Sequence, residues 1–350
     1  MGNIYINIEK IEINMKFFKR LFKKLKKHCP GGGSGSGTGC SKYKSIKLVR
    51  DKEDVIGVGF HRSGWPYVFS YLEAISSRKG ILFDDFVEQN FCYKDKPTVY
   101  REPWVGVFHH PPTVPYFGNQ RENLEVMFQR PEFKESAKNL KLAIALSDHL
   151  GDFLKKHLKC PVLVLKHPAG KADVKWNYGH FNSNKKKALI QVGYYLRNTQ
   201  LISQIPLASF QKIRLWTQKE WVQIFDERVS KHFKNLRNSF GGYTDQTFVP
   251  ASYYDALLSK NIVVMEVFDA SASNGVLDCI VRNTPIIVNK NPAVVEYLGK
   301  DYPMYFENPL DIPMIAERAH QAHMYLKKMD KSSLNVELFI RQIMQAIEKL

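Results

Sequence analysis

Asp269–Gly299 reads DASASNGVLDCIVRNTPIIVNKNPAVVEYLG, and the succession of elements in it decides the fold class. Ala270 to Gly275 is a loop of small residues that leads straight into a helix starting near Val276. Pro285-Ile-Ile-Val288 follows as a short apolar run of the kind buried in a parallel sheet. Loop, helix and strand in this order form one unit of an α/β layer. Backbone amides and hydroxyls at such a helix start can cradle a diphosphate, which marks Ser271, Ser273 and Asn274 as candidates. Asp278 falls in the first turn, where the helix dipole favours a carboxylate that can accept from a ribose hydroxyl. It reads equally well as a plain helix-start charge, with Ser271 or Ser273 as an ordinary N-cap. The residues alone leave both readings open.

Upstream, the same alternation recurs twice. Val55–Phe60, Trp104–Phe108, Leu142–Leu146 and Pro161–Leu165 read as strands, with helices over Pro66–Ser77 and from Leu146 to about Leu158. The polar stretch Gly170–Lys187 breaks the pattern. A second series follows with Ala188–Val192, Lys212–Trp216, Asn261–Met265 and Pro285–Val288, and the chain ends in a helix over Asn335–Leu350. The expected architecture is α/β, with two Rossmann-like domains facing each other across a cleft and a C-terminal helix. Its segments are a basic leader at 1–29, a linker at 30–46, an N-terminal domain at 47–184 and a C-terminal domain at 185–350. A chain of 350 residues suits two such cores. Ligands of open α/β sheets bind beyond the carboxyl ends of the strands. That directs attention to His61–Trp65, His109–Pro115, Ser147–Gly151, Gly193–Thr199 and Asp269–Gly275.

The formal net charge is +17, which favours anionic partners. Residues 16–28, KFFKRLFKKLKKH, put Phe17, Phe18, Leu21, Phe22 and Leu25 on one helical face and lysines on the rest. Such a helix can lie on an anionic membrane surface; a solvated basic tail or a nucleic-acid arm is the alternative. Pro30–Gly39, rich in Gly and Ser, reads as a flexible linker. The five cysteines are scattered without C-x-x-C spacing, as expected for reduced thiols in a cytoplasmic protein. No apolar run reaches the roughly 20 residues that span a bilayer. No aromatic-interleaved recognition motif accompanies the basic residues, so nucleic acid is not an expected partner.

The segment from Asp269 resembles the donor-binding half of retaining GT-B glycosyltransferases, similar to the group 1 or family 4-like enzymes. Those carry a Glu-rich loop and helix, then G-x-P, a strand, and G-G-x-x-E. Aligned on Pro285, Asp278 takes the position of the second Glu and Glu296 that of the distal acid. The first Glu falls near Asp269 or Ala270, while Asn283-Thr284 and Pro292-Ala293 replace the glycines. Gln191–Arg197 is similar to the opening donor-domain strand, which ends in a Gly and a basic phosphate contact. By that resemblance Gly193 and Arg197 are donor-binding, as are Ser63 and Gly64 in a Gly-containing loop. In Val107–Pro112 the resemblance puts His109, with His110 next, near the sugar ring as the candidate catalytic histidine. A strand-end His held in the fold is the alternative.

Asp84-Asp85 lacks the D-x-D spacing of metal-dependent transferases, and the Phe residues around it suggest a helix start. No metal site is expected. Neither a P-loop nor a G-x-S-x-G elbow occurs. The expected activity is metal-independent transfer from a nucleotide-sugar, UDP- or GDP-linked, to a glycan, lipid-linked or protein acceptor. No cofactor is required, because the nucleotide-sugar is a substrate. The rival expectation is a non-catalytic module that binds a sugar or nucleotide.

Overall fold

Runs of Val, Ile and Leu too short for helices build two wholly parallel sheets in the computed structural model. The structure describes residues 43–50, 64–216, 219–232, 240, 242–247 and 249–350. The expected strand Val55–Phe60, residue Ser63, the leader with its helix at 16–28 and most of the expected linker lie outside them.

The first sheet orders β1 (Ile46–Leu48), β2 (Ile81–Asp84), β3 (Trp104–Phe108), β4 (Leu140–Ala145) and β5 (Val162–Val164) side by side in that sequence. Every residue of β3 is buried. Gly106 is required there, since a Cβ would lie 2.6 Å from both the Trp104 ring and Val87. Asp84 ends strand β2 instead of opening a helix; the helical turns begin beyond it, at Val87.

The second sheet comprises β6 (Ala188–Val192), β7 (Gln211–Trp216), β8 (Thr244–Thr247), β9 (Ile262–Met265), β10 (Ile286–Asn289) and β11 (Tyr305–Phe306). Their order is β11-β10-β9-β6-β7-β8, so the chain leaves β6 in one direction and returns to its other side at β9. The loops that follow β6 and β9 meet at this switch point, joined by a bridge between Arg197 and Val267, at the usual ligand position in an open α/β sheet.

The closing helix, Val336–Ile347, does not pack with the sheet that precedes it. Phe339, Ile340, Ile343 and Ile347 are buried with Ile46, Trp65, Val68 and Leu72 of the first half. The chain thus crosses between the halves twice, and the two crossings are tied by the Ala169 amide donating to the Leu334 carbonyl at 3.0 Å. No helix among the described residues is long and apolar enough to cross a membrane.

Candidate functional site

After β6 the backbone turns through Gly193 at φ +72° and Leu196 at φ +51° and brings Arg197 back beneath the turn. A Cβ on Gly193 would sit 2.0 Å from the Arg197 guanidinium, so both space and conformation demand glycine. Arg197 donates to the Val192 carbonyl and, at 3.2 Å, to the Ser273 hydroxyl in the loop after β9. No carboxylate lies within ion-pair distance of it among the described residues. Desolvation lowers its pKa, although part of the residue stays exposed.

Ser273 precedes the helix Asn274–Arg282 but makes no capping bond, because its hydroxyl is turned to Arg197. The first-turn amides are left without a side-chain acceptor, with Asn274 exposed beside them. Gly193, Arg197, Ser273 and Asn274 therefore converge on one point, a guanidinium facing an uncapped helix start.

The other sequence candidates divide. Asp278 turns inward: fully buried, it accepts from Arg282 at 2.9 Å and from the Tyr254 hydroxyl at 3.0 Å. Ser271 crosses the cleft and donates to the His109 carbonyl. Glu296 also crosses, pairing with Lys166 and accepting from the Asp148 amide at 2.8 Å. Gly64 is buried at the start of the helix Trp65–Ala74.

His110 has both ring nitrogens occupied. The Glu122 carbonyl can only accept, so Nδ1 donates to it at 2.8 Å and Nε2 accepts from the Tyr93 hydroxyl at 3.0 Å. Burial lowers its pKa. His109 is wedged between Trp65 and Phe86, each with ring centroids 4.2 Å from its own. Its Nε2 donates to the Asp85 carbonyl at 2.9 Å, which leaves Nδ1 as its free acceptor. Beneath both, Glu88 accepts their backbone amides, each at 2.8 Å. Burial raises the Glu88 pKa to about 7.

Three participants were not named as site residues from the sequence. Asp269, which the sequence placed at the start of a strand-end loop and near the first Glu of the alignment, accepts from the Thr113 amide at 2.9 Å and pairs with His149 at 2.9 Å. His149 lies in the first turn of the helix Asp148–His157 that follows β4, but its partner is far away in the chain. Asp85, dismissed as a metal ligand, is held by Arg50 at 3.0 Å and Trp65 at 2.7 Å.

No protein-family profile matches the chain, and no curated protein sequence does. Solved structures do. Sucrose-phosphate synthase from Thermosynechococcus elongatus superposes with a TM-score of 0.54 at 11% identity, covering 81% of this chain and 77% of that one. HepE of Anabaena, solved with UDP and glucose, gives 0.53 at 10%, covering 87% and 78%. TarM gives 0.51 at 9%, covering 80% of this chain and 57% of the longer TarM chain. The chain has the GT-B fold. In this GT-B frame the loop after β9 faces the loops at the carboxyl ends of the first sheet, and the contacts of Asp269, Ser271 and Glu296 are made across the interdomain cleft.

Proposed function

We propose that the protein transfers a sugar from a nucleotide-sugar donor to a glycan, lipid-linked or protein acceptor. The supporting observation is Arg197, a half-buried guanidinium without an acidic partner among the described residues, set beside the uncapped start of Asn274–Arg282 at the switch point of the second sheet. This arrangement suits a diphosphate. As the bond from the sugar C1 to the phosphate oxygen breaks, the electron pair moves onto that oxygen. Arg197 and the first-turn amides stabilise the charge there without a metal. Closure of the halves excludes water from the departing sugar. Residues 47–184 and 185–350 are the proposed domains, with the terminal helix bracing the first, and residues 16–28 dock the enzyme on an anionic, cytoplasmic membrane face.

UDP-sugars are the first donors to test, since HepE was solved with UDP; GDP-, ADP- and CMP-sugars complete the panel. A rise in melting temperature with one nucleotide, and slow release of its diphosphate from the sugar, is the expected outcome. Arg197→Ala should weaken that donor by about ten- to a hundredfold, the worth of a charged hydrogen-bond pair. Arg197→Lys should recover only part, because an ammonium lacks the planar fork. Unchanged donor affinity in Arg197→Ala would refute the assignment.

One observation favours the rival reading of a non-catalytic binding module. Asp278 and Glu296, at the positions where the resembled enzymes place donor contacts, are both engaged by protein groups. Donor binding without turnover over a broad acceptor screen would decide for it.

A further inference from the structure

His149 belongs to the first half and is gripped at both ends by the second. Its backbone amide, with that of Asp148, is directed at Glu296 Oε2, at 3.4 and 2.8 Å. Its ring Nε2 donates to Asp269 Oδ1 at 2.9 Å. Asp269 is nearly enclosed and also takes the Ala270 amide at 2.8 Å, the Asn291 side chain at 3.3 Å and the Thr113 amide at 2.9 Å. The same residue opens the loop whose other end is Ser273, the partner of Arg197. Three hydrogen bonds pin this loop to the first half: Asp269 to the Thr113 amide, Ser271 to the His109 carbonyl, and Asp269 to His149. The first two use backbone groups of the first half. Only the third depends on a first-half side chain, and that side chain titrates.

We propose that His149 is a positioning residue for the donor loop, holding residues 269–275 against the first half through Asp269 and so coupling cleft closure and donor affinity to pH. The donor part of this rests on the transferase reading above. The hydrogen bond to Asp269 raises the imidazole pKa, burial opposes it, and the charges of Asp269, Glu296 and Asp152 add to it. Lys166, the facing cation, is paired with Glu296. For a group whose folded pKa is raised, the contribution is complete below the ordinary imidazole value of about 6.5 and is lost as pH climbs through the raised value. The loop should therefore be held firmly in mild acid and loosen in alkali.

Hydrogen exchange in peptides covering 109–115 and 269–275 of the full chain, corrected for intrinsic rates, tests this at about pH 6 and about pH 8.5. Wild-type exchange should accelerate several-fold at the higher pH. His149→Leu should exchange about tenfold faster than wild type at the lower pH and raise the KM for the UDP-sugar by a similar factor, with kcat little changed. His149→Gln keeps an uncharged donor, so it should restore most of the protection and abolish the pH response. Exchange in His149→Leu equal to wild type at both pH values would overturn the proposal whatever the activity. Faster exchange with an unchanged KM would overturn the coupling to donor. Faster exchange in a protein that binds no nucleotide-sugar at all would instead refute the transferase reading and leave the positioning role standing.

Discussion

Two sets of carboxylates lie close together in the second half of the chain, and they do different work. Asp255 and Asp278 both bind Arg282, which reaches the first at 2.6 Å and the second at 2.9 Å, with the Tyr254 ring stacked beneath its guanidinium at 5.6 Å. All of these groups are buried and all belong to the second half. Asp269 and Glu296 instead find their partners in the first half, in His149 and Lys166, which keep 26% and 23% of their side-chain surface exposed. The closed network is a condition of folding for its own domain. The open one fixes the orientation of two domains, and solvent can replace its partners when it breaks. Carboxylates within one stretch of chain thus differ in energetic weight according to whether water can reach the cation they leave behind.

The largest effect should follow from Arg282→Met. Two carboxylates would remain enclosed without a cation, a loss of about 3–5 kcal/mol in denaturant unfolding. Replacing Asp255 and Asp278 by Leu in the same chain should recover much of it, since an apolar substitute for a complete ion network is often neutral. A loss below about 1 kcal/mol in the single variant would mean that water reaches the network, and the contrast between the two regions would fail.

Glu296→Ala should cost less, about 1–2 kcal/mol, because Lys166 and the first-turn amides of Asp148–His157 regain water. Its signature should be different in kind. With the halves less tightly coupled, calorimetry should resolve two transitions where wild type should give one. A single transition lowered as far as in Arg282→Met would place Glu296 with the folding network.

The strands were mostly legible in the sequence. Trp104–Phe108 and Ala188–Val192 were read with their observed bounds, because unbroken apolar runs between turn residues have few other uses. β8, TDQT, was not, since an exposed edge strand needs no apolar side chain. The terminal helix was legible as a helix but its partner was not, for an apolar stripe does not say which sheet will cover it. In the site, Gly193 and Arg197 were named through the family resemblance, since a Gly and an Arg four residues apart read as well as a plain turn with a surface Arg; the structure brings the two into contact. Asp278 was misplaced although Arg282 stands four residues on, a spacing that pairs opposite charges on one helix face. That local cue points to a structural ion pair and was not read from the sequence. His149 could not have been found locally, because Asp269 is 120 residues away.

Asn291 belongs to both regions and provides the finest test. Its Oδ1 caps the helix Pro292–Leu298 by accepting from the Ala293 amide at 3.1 Å, a contact internal to the second half. Its Nδ2 reaches Asp269 Oδ1 at 3.3 Å, near the limit of a useful hydrogen bond. If the cap dominates, Asn291→Ala should lose about 1 kcal/mol, or about 2–4 °C in melting temperature. Asn291→Ser, which still caps but no longer reaches Asp269, should recover most of that. Equal losses in the two variants would show that the long bond to Asp269 carries the effect. Asn291 would then count among the groups that hold the cleft, and exchange in residues 269–275 should rise in both variants as it does in His149→Leu.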